Sequence, residues 1–157
     1  MQGERPVRKP CQLTPDQVLE LAQLHSELES SRDLEPLLAT LDDEPVFEFH
    51  PPGATLSGMD RLRRYYQHFL NDFMPTIEET YLMGEWSGPD AVTFEYQLRL
   101  RVGGQLEDHQ LVSVMFVCGD RLGGERLYGD ERLLKLMLGP LFAELEPITG
   151  PTRWARI

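Results

Sequence analysis

The chain has little cysteine, no excess of basic charge and no long hydrophobic run, and each shortage excludes a class of protein. Its 157 residues include two cysteines, which are too few for a disulfide framework and have no metal-ligand spacing. The net charge is −11 at pH 7, whereas nucleic acids and anionic lipids require a basic protein face. No apolar run approaches the roughly 20 residues that span a bilayer. We therefore expect neither a nucleic-acid partner nor a membrane partner.

The hydrophobic fraction of 41% is typical of a globular protein, and the length suits one domain with a substantial core. The first ten residues are polar and basic with no apolar segment behind them, which argues against a secretory signal peptide. We expect a soluble, cytoplasmic protein. Its predicted organisation is a flexible N-terminal tail over 1–12, a single α+β domain over 13–145 and a C-terminal tail over 146–157.

Helical patterns open the domain, return in its middle and close it. Thr14 begins the first helix, with Pro15 in the first turn and Gln17 at the position that completes a capping box. Apolar residues then recur at helical spacing on one face, which also contains His25. Further helices are predicted from Asp33 to Leu41, over 58–73 and over 130–144.

Strand patterns dominate the region between about 76 and 129. Residues 92–101 alternate between apolar and polar side chains, which predicts a strand with one buried face. Residues 111–118 are apolar on both parities, as in a central strand that is covered on both sides. An earlier short strand over 46–50 ends at His50, before a Pro-Pro-Gly turn. The order predicts an α+β fold in which helices pack on the concave face of one sheet.

This order of elements resembles the SnoaL-like, nuclear-transport-factor-2-like superfamily, which includes ketosteroid isomerases and polyketide cyclases. The resemblance covers residues 13–138 and implies a cone-shaped roll of a curved, mostly antiparallel sheet with the N-terminal helices on its concave face. The segments that carry it are the strand end at Phe49–Gly53, the helix start at Ser57–Gly58, the hairpin at Gly103–Gln105 and the strand end at Glu125–Asp130.

The resemblance also implies a pocket for a small apolar molecule, although the steroid isomerase triad is incomplete. In that family the residue before the first proline of the turn is a carboxylate base, and this chain has His50 there. A carboxylic acid and a tyrosine supply the oxyanion hole, and the matching positions hold Ser113 and His25. The residues predicted to bind substrate are Tyr66, Phe69, Ser113, Met115 and Leu127.

The histidines are the candidate acid–base groups, because an unperturbed histidine titrates near pH ~6.5. His25 lies on the apolar helix face, His50 ends the first strand, and His109 shares strand parity with Ser113. The three could converge on one cavity as general acid and base, with Tyr96 as a further hydroxyl donor. Each could instead be a core residue. Three imidazoles could also hold zinc, but no short His–His spacing supports this, so we expect neither a metal nor a cofactor.

Two functions fit this pattern. In the first, His50 removes a proton next to a carbonyl while His25, Tyr96 or His109 donates to the oxyanion, which would isomerise, cyclise or dehydrate an apolar ketone of polyketide or steroid type. In the second, the chain is a non-catalytic module that binds a hydrophobic ligand or dimerises. The expected homodimer would form through the outer sheet face, where residues Glu95, Gln97, Arg99 and Arg101 lie.

Overall fold

The structure, a computed structural model, describes residues 9–148. Four α-helices surround one side of a single sheet. The helices are α1 (Pro15–Ser31), α2 (Leu34–Ala39), α3 (Met59–His68) and α4 (Glu131–Leu138), with short helical turns at Phe69–Phe73, Met74–Thr76 and Gly139–Glu144. None of the helices in this described part is long and apolar enough to cross a membrane.

The sheet has seven strands in the order β3-β4-β5-β6-β1-β2-β7. Its strands are β1 (Leu41–His50), β2 (Ala54–Ser57), β3 (Ile77–Ser87), β4 (Ala91–Val102), β5 (Gln105–Cys118), β6 (Arg121–Gly129) and β7 (Glu146–Pro147). All neighbouring strands are antiparallel except β1 and β6, which are parallel. The predicted α+β fold with a curved, mostly antiparallel sheet is confirmed.

The parts of the two predicted tails at 1–8 and 149–157 lie outside the described residues. Where the tails are described, they contact the domain. The Gln12 N–H donates to the carbonyl oxygen of Gly119 at 2.8 Å, and Glu146 and Pro147 form β7 against β2.

Helix α1 begins where the sequence predicts. Both hydrogen bonds of the capping box are present: the Gln17 N–H donates to Thr14 Oγ1 at 3.3 Å, and the Thr14 N–H donates to Gln17 Oε1 at 2.9 Å. The buried face of the helix contains Val18, Ala22 and His25. The capped start fixes which face of α1 meets the sheet, and this directs His25 into the core.

Strand β1 is longer than predicted and β2 was not predicted. The segment around Pro45, expected to break the chain between a helix and a strand, lies within β1, whose register with β6 shifts between Leu41 and Val46. This irregularity accommodates a proline, which cannot donate to a regular ladder. The predicted turn and helix start contain β2, whose four residues are too few to show a strand period.

Helix α3 and the helical turn that follows it place an aromatic wall over the sheet. Tyr65, Tyr66, Phe69 and Phe73 are buried, and the ring of Phe47 from β1 meets those of Tyr65 and Tyr66 edge-on at centroid distances of 5.8 and 5.9 Å. These contacts use the edge-to-face geometry that aromatic pairs prefer. The wall holds α3 at a fixed position across from β5 and β6.

The two arginines of the outer sheet face, Arg99 and Arg101, are paired within the chain. Arg99 bonds to Asp108, and Arg101 bonds to Glu78. The arginines expected to pair with a second copy therefore already have partners in their own chain. The homodimer through this face stays a prediction.

The close approach of β1 and β6 depends on Gly124. Its φ is +146°, and a Cβ atom at this position would lie 1.8 Å from the carbonyl oxygen of Val46. We predict that Gly124→Ala destabilises the fold by about 2–4 kcal/mol, because the backbone of β1 would have to move. Urea unfolding followed by circular dichroism measures this.

The matched control is Gly88→Ala, where the added Cβ would meet only ordinary van der Waals contacts at 3.6 Å. Its unfolding free energy should stay within about 0.5 kcal/mol of the parent value. Equal unfolding midpoints for the Gly124 and Gly88 variants would contradict the proposed approach of β1 and β6.

Candidate active site

A cavity of about 130 Å³ lies between α1, α3 and the concave face of the sheet. An engineered apolar cavity of roughly 150 Å³ holds benzene, so this one suits a molecule of about that size. Its apolar wall consists of Tyr65, Phe69, Phe73, Met74, Ile77, Leu98, Leu111, Met115, Leu127 and Met137. The polar residues that line it are Ser26, Glu29, Ser30, Tyr66, Thr80, Tyr96, Ser113 and Glu125.

Three ionisable side chains converge beside this cavity: His25, Glu29 and Glu125, which we call the acid–imidazole cluster. Glu29 and Glu125 line the cavity, and His25 contacts both of them. Nε2 of His25 lies 2.9 Å from Glu29 Oε1 and 3.0 Å from Glu125 Oε1. The Tyr66 hydroxyl oxygen lies 2.9 Å from the same nitrogen. One ring nitrogen thus meets two carboxylates and one phenol.

Local structure explains the convergence. His25 and Glu29 are four residues apart on α1 and therefore lie on the same helix face. Glu125 is on β6, where it pairs in register with Met115 of β5. Met115 and Glu125 consequently point to the same, concave side of the sheet, towards α1.

The orientation of the imidazole is fixed from behind. The Thr40 hydroxyl donates to the carbonyl oxygen of Leu37 at 2.6 Å, so its oxygen is free to accept from Nδ1–H of His25 at 2.7 Å. The tautomer follows from this chain of hydrogen bonds. Nδ1 carries a proton, and Nε2 is the nitrogen that faces the two carboxylates.

Burial and charge act in opposite directions on His25. Burial alone would lower its pKa, but the adjacent carboxylates of Glu125 and Glu29 outweigh that effect and raise the pKa to about 9. The imidazole is therefore charged at neutral pH. Burial raises the pKa of Glu29 above its ordinary value although the bond to His25 opposes the change.

The two glutamates differ in their surroundings. Glu125 is only 4% exposed, and its Oε2 accepts a hydrogen bond from the Ser113 hydroxyl at 2.9 Å. Its Oε1 is buried and receives no well-aligned hydrogen bond from any described residue, even with Nε2 of His25 at 3.0 Å. The Glu29 side chain is 19% exposed and lines the cavity. Glu125 is thus held rigidly, whereas Glu29 is accessible.

His50 does not enter the cavity. Phe47 and Phe49 of β1 are buried in the core, and because side chains alternate along a strand, His50 lies on the opposite face. Its ring stacks on Tyr128 at 4.8 Å, and its Nε2 lies 3.5 Å from Glu48 Oε2. His50 therefore lies outside the cavity, contrary to the prediction, because the residues of β1 that face the core are Phe47 and Phe49.

His109 is also held elsewhere. Its Nδ1 lies 2.6 Å from Asp130 Oδ2 and its Nε2 lies 2.9 Å from Glu107 Oε2. Asp130 caps α4 by accepting the Leu133 N–H at 2.7 Å. His109 therefore ties β5 to the start of α4, and the structure does not bring the three candidate histidines together.

The other predicted site residues lie on the cavity wall: Tyr66, Phe69, Tyr96, Ser113, Met115 and Leu127. Burial raises the pKa of Tyr96 to about 12, so its hydroxyl keeps its proton at neutral pH. The sequence analysis missed Glu29 and Glu125. Two signals could have found them, namely the four-residue spacing from His25 to Glu29 and the shared strand parity of Glu125 and Leu127.

Comparison with known proteins identifies the fold. No family model and no curated protein match the sequence. Solved structures do match, among them an NTF2-like protein from Anabaena variabilis, with 20% identity, a TM-score of 0.62, and coverage of 74% of this chain and 91% of that chain.

Two further matches are named provisionally as enzymes. A protein from Bacillus subtilis that is provisionally named an isomerase has 18% identity and a TM-score of 0.61, and the match covers 79% of this chain and 94% of that one. A protein from Kribbella flavida that is provisionally named a ketosteroid isomerase has 16% identity and a TM-score of 0.61, and the match covers 74% of this chain and 80% of that one. The chain has the NTF2-like α+β cone fold, as its sequence predicts.

The charge state of His25 can be measured directly. We predict that, in protein prepared with a chelator, His25 titrates near pH 9 in an NMR experiment, whereas Glu125→Gln lowers its pKa because burial then meets less opposition. Because the folded pKa is raised, the stabilisation from His25 is present below about pH 6.5 and is lost as the pH rises through 9.

The control for this titration is Glu48→Gln, which alters the carboxylate beside His50 and leaves the acid–imidazole cluster intact. It should not change the His25 titration. A neutral His25 at pH 7 in the parent protein would contradict the described cluster.

Proposed function

We propose that the chain is an enzyme that moves protons on a small, mostly apolar ketone bound in the cavity. The observation that carries the proposal is the acid–imidazole cluster, two of whose members, Glu29 and Glu125, line a cavity with a mostly apolar wall. Ionisable groups in a largely apolar pocket are the usual arrangement for general acid–base catalysis. The provisional names of the Bacillus and Kribbella proteins agree with this class of reaction.

Glu29 takes the role of the base in this proposal, in place of His50. It lines the cavity and is the more accessible carboxylate of the cluster. His25 does not line the cavity, and we assign it a positioning role, because its Nε2 holds both carboxylates at about 3 Å. Tyr96 lines the cavity with a protonated hydroxyl that can donate to a carbonyl oxygen.

The reaction that fits these roles is isomerisation through an enolate. Glu29 accepts a proton from the carbon next to the carbonyl, and the Tyr96 hydroxyl stabilises the negative charge that develops on oxygen. The same proton then returns from Glu29 to a different carbon, so that the double bond moves and no group is gained or lost. A cavity of about 130 Å³ favours a substrate with one small ring over a steroid.

The test uses 3-cyclohexen-1-one, a small ketone whose double bond moves into conjugation when it isomerises. We predict that Glu29→Gln lowers the turnover rate by about 10²–10⁴-fold, because the amide cannot accept the proton. Tyr96→Phe should lower the rate by about 10²-fold through loss of one donor to the oxyanion. Ultraviolet absorbance of the conjugated product measures the rate, and circular dichroism confirms that each variant is folded.

Two controls separate this assignment from its alternatives. Glu27→Gln, which changes an exposed glutamate of the same helix, should keep full activity. So should His50→Asn. Unchanged turnover in Glu29→Gln would reject Glu29 as the base, and a loss confined to His50→Asn would restore the prediction made from sequence. Binding of the ketone by the parent protein without turnover would support a non-catalytic ligand-binding module instead.

A further inference from the structure

We propose that the acid–imidazole cluster is a binding site for a divalent transition-metal ion. His25, Glu29 and Glu125 each offer one ligand atom, and these three atoms lie within 4.8 Å of one another. This set differs from the three-histidine site considered from the sequence. It combines one imidazole with two carboxylates, and its members come from α1 and β6.

The distances in the cluster suit a shared ion. Nε2 of His25 is 2.9 Å from Glu29 Oε1 and 3.0 Å from Glu125 Oε1. Zinc binds imidazole nitrogen and carboxylate oxygen at about 2.0–2.2 Å in a tetrahedron, which places neighbouring ligand atoms roughly 3.3–3.6 Å apart. The two carboxylate oxygens would therefore move away from Nε2 by about half an ångström to admit an ion.

A separate observation points to a missing ligand. Glu125 Oε1 is buried without a well-aligned hydrogen bond from the described part of the chain, although Oε2 of the same group is bonded to Ser113. Nε2 of His25 lies 3.0 Å from this oxygen, but a buried carboxylate oxygen without an aligned donor is still costly. A cation bound at the cluster would satisfy this oxygen.

The groups behind the cluster are arranged as they are behind many metal ligands. A metal-binding histidine usually donates its second N–H to a fixed acceptor, and a metal-binding carboxylate usually accepts a further hydrogen bond. Here Nδ1–H of His25 donates to Thr40, which is itself fixed on Leu37, and the Ser113 hydroxyl donates to Glu125. The supporting groups thus hold both ligands in place before an ion arrives.

Charge and ligand type indicate which ion fits. No lysine or arginine of residues 9–148 lines the cavity, so a dication beside two carboxylates would be neutralised without a competing positive side chain from this part of the chain. A nitrogen ligand favours zinc and other transition metals over magnesium and calcium, which prefer oxygen alone. Three protein ligands with an open side towards a cavity are the arrangement of zinc sites that accept a further ligand.

The inference goes beyond the proposed function, because metal binding needs no ketone chemistry. The ion and the proton compete for the same nitrogen, so the metal-bound and proton-bound clusters are alternative states. The experiment measures binding without substrate. A failure to bind metal therefore leaves the isomerase proposal standing, and a failure of turnover leaves this one standing.

The test is calorimetric titration of the full chain, stripped with a chelator, with zinc chloride at neutral pH. We expect one ion per chain, a dissociation constant in the micromolar range or below, and no saturable binding of magnesium. Glu29→Gln and Glu125→Gln should each weaken zinc binding by at least about tenfold, since each replaces a charged carboxylate ligand with a neutral amide of nearly the same shape. Thr40→Val should also weaken it, through loss of the acceptor behind His25.

The chain offers a matched control in His109, which also lies between two acids but presents a different nitrogen to each. His109→Asn should bind zinc as tightly as the parent protein. The inference is overturned if the parent shows no saturable zinc binding. It is equally overturned if both glutamine variants of the cluster bind zinc like the parent, or if His109→Asn abolishes binding.

Discussion

The site depends on the placement of one imidazole between two carboxylates inside the protein. Burying a carboxylate without a partner is very unfavourable, and a second one nearby adds repulsion. His25 offsets both effects at a single atom, Nε2, and thereby joins helix α1 to strand β6 across the cavity. Thr40 fixes the orientation of the imidazole ring, because its hydroxyl oxygen accepts the hydrogen bond from Nδ1–H and so directs Nε2 to the carboxylates. Removing one glutamate would therefore shift the pKa of the other two groups as well.

The aromatic wall strengthens the electrostatic interactions within this cluster. Tyr65, Tyr66 and Phe69 lie beside it, and electrostatic interactions are stronger in apolar surroundings than in water. The environments of the two carboxylates then diverge, since Ser113 holds Glu125 while Glu29 remains accessible. Two chemically identical side chains acquire different roles through their neighbours, which is the general way in which one site provides both a fixed charge and a mobile proton.

Much of the scaffold could be predicted from the sequence, because it follows from periodicity. The alternation of β4 and the parity of Ser113 and Met115 on β5 identified the concave wall correctly. The helix spacing placed His25 inwards. The failures have physical causes. Glutamates are expected at the surface by default, so Glu29 and Glu125 were not considered as site residues. Only the tertiary structure shows that the charged imidazole of His25 compensates them. His50 was placed in the cavity by the resemblance, yet it alternates with the buried Phe47 and Phe49 along a regular stretch of β1 and therefore lies on the other face of the strand.

The matched structures share the backbone of this chain at 20% identity or less, and a fold at that distance does not determine chemistry. In this chain, Glu29 and Glu125 create a requirement for positive charge at one point. A proton on Nε2 meets it, and so does a divalent ion held by the same three side chains. The two states make opposite demands on His25, which must be charged in the first and neutral in the second. The ion would also occupy Glu29, the base of the proposed isomerisation, so zinc should inhibit that reaction in the parent protein. In Glu125→Gln, where the metal site has lost a ligand and Glu29 is retained, the same zinc concentration should inhibit less.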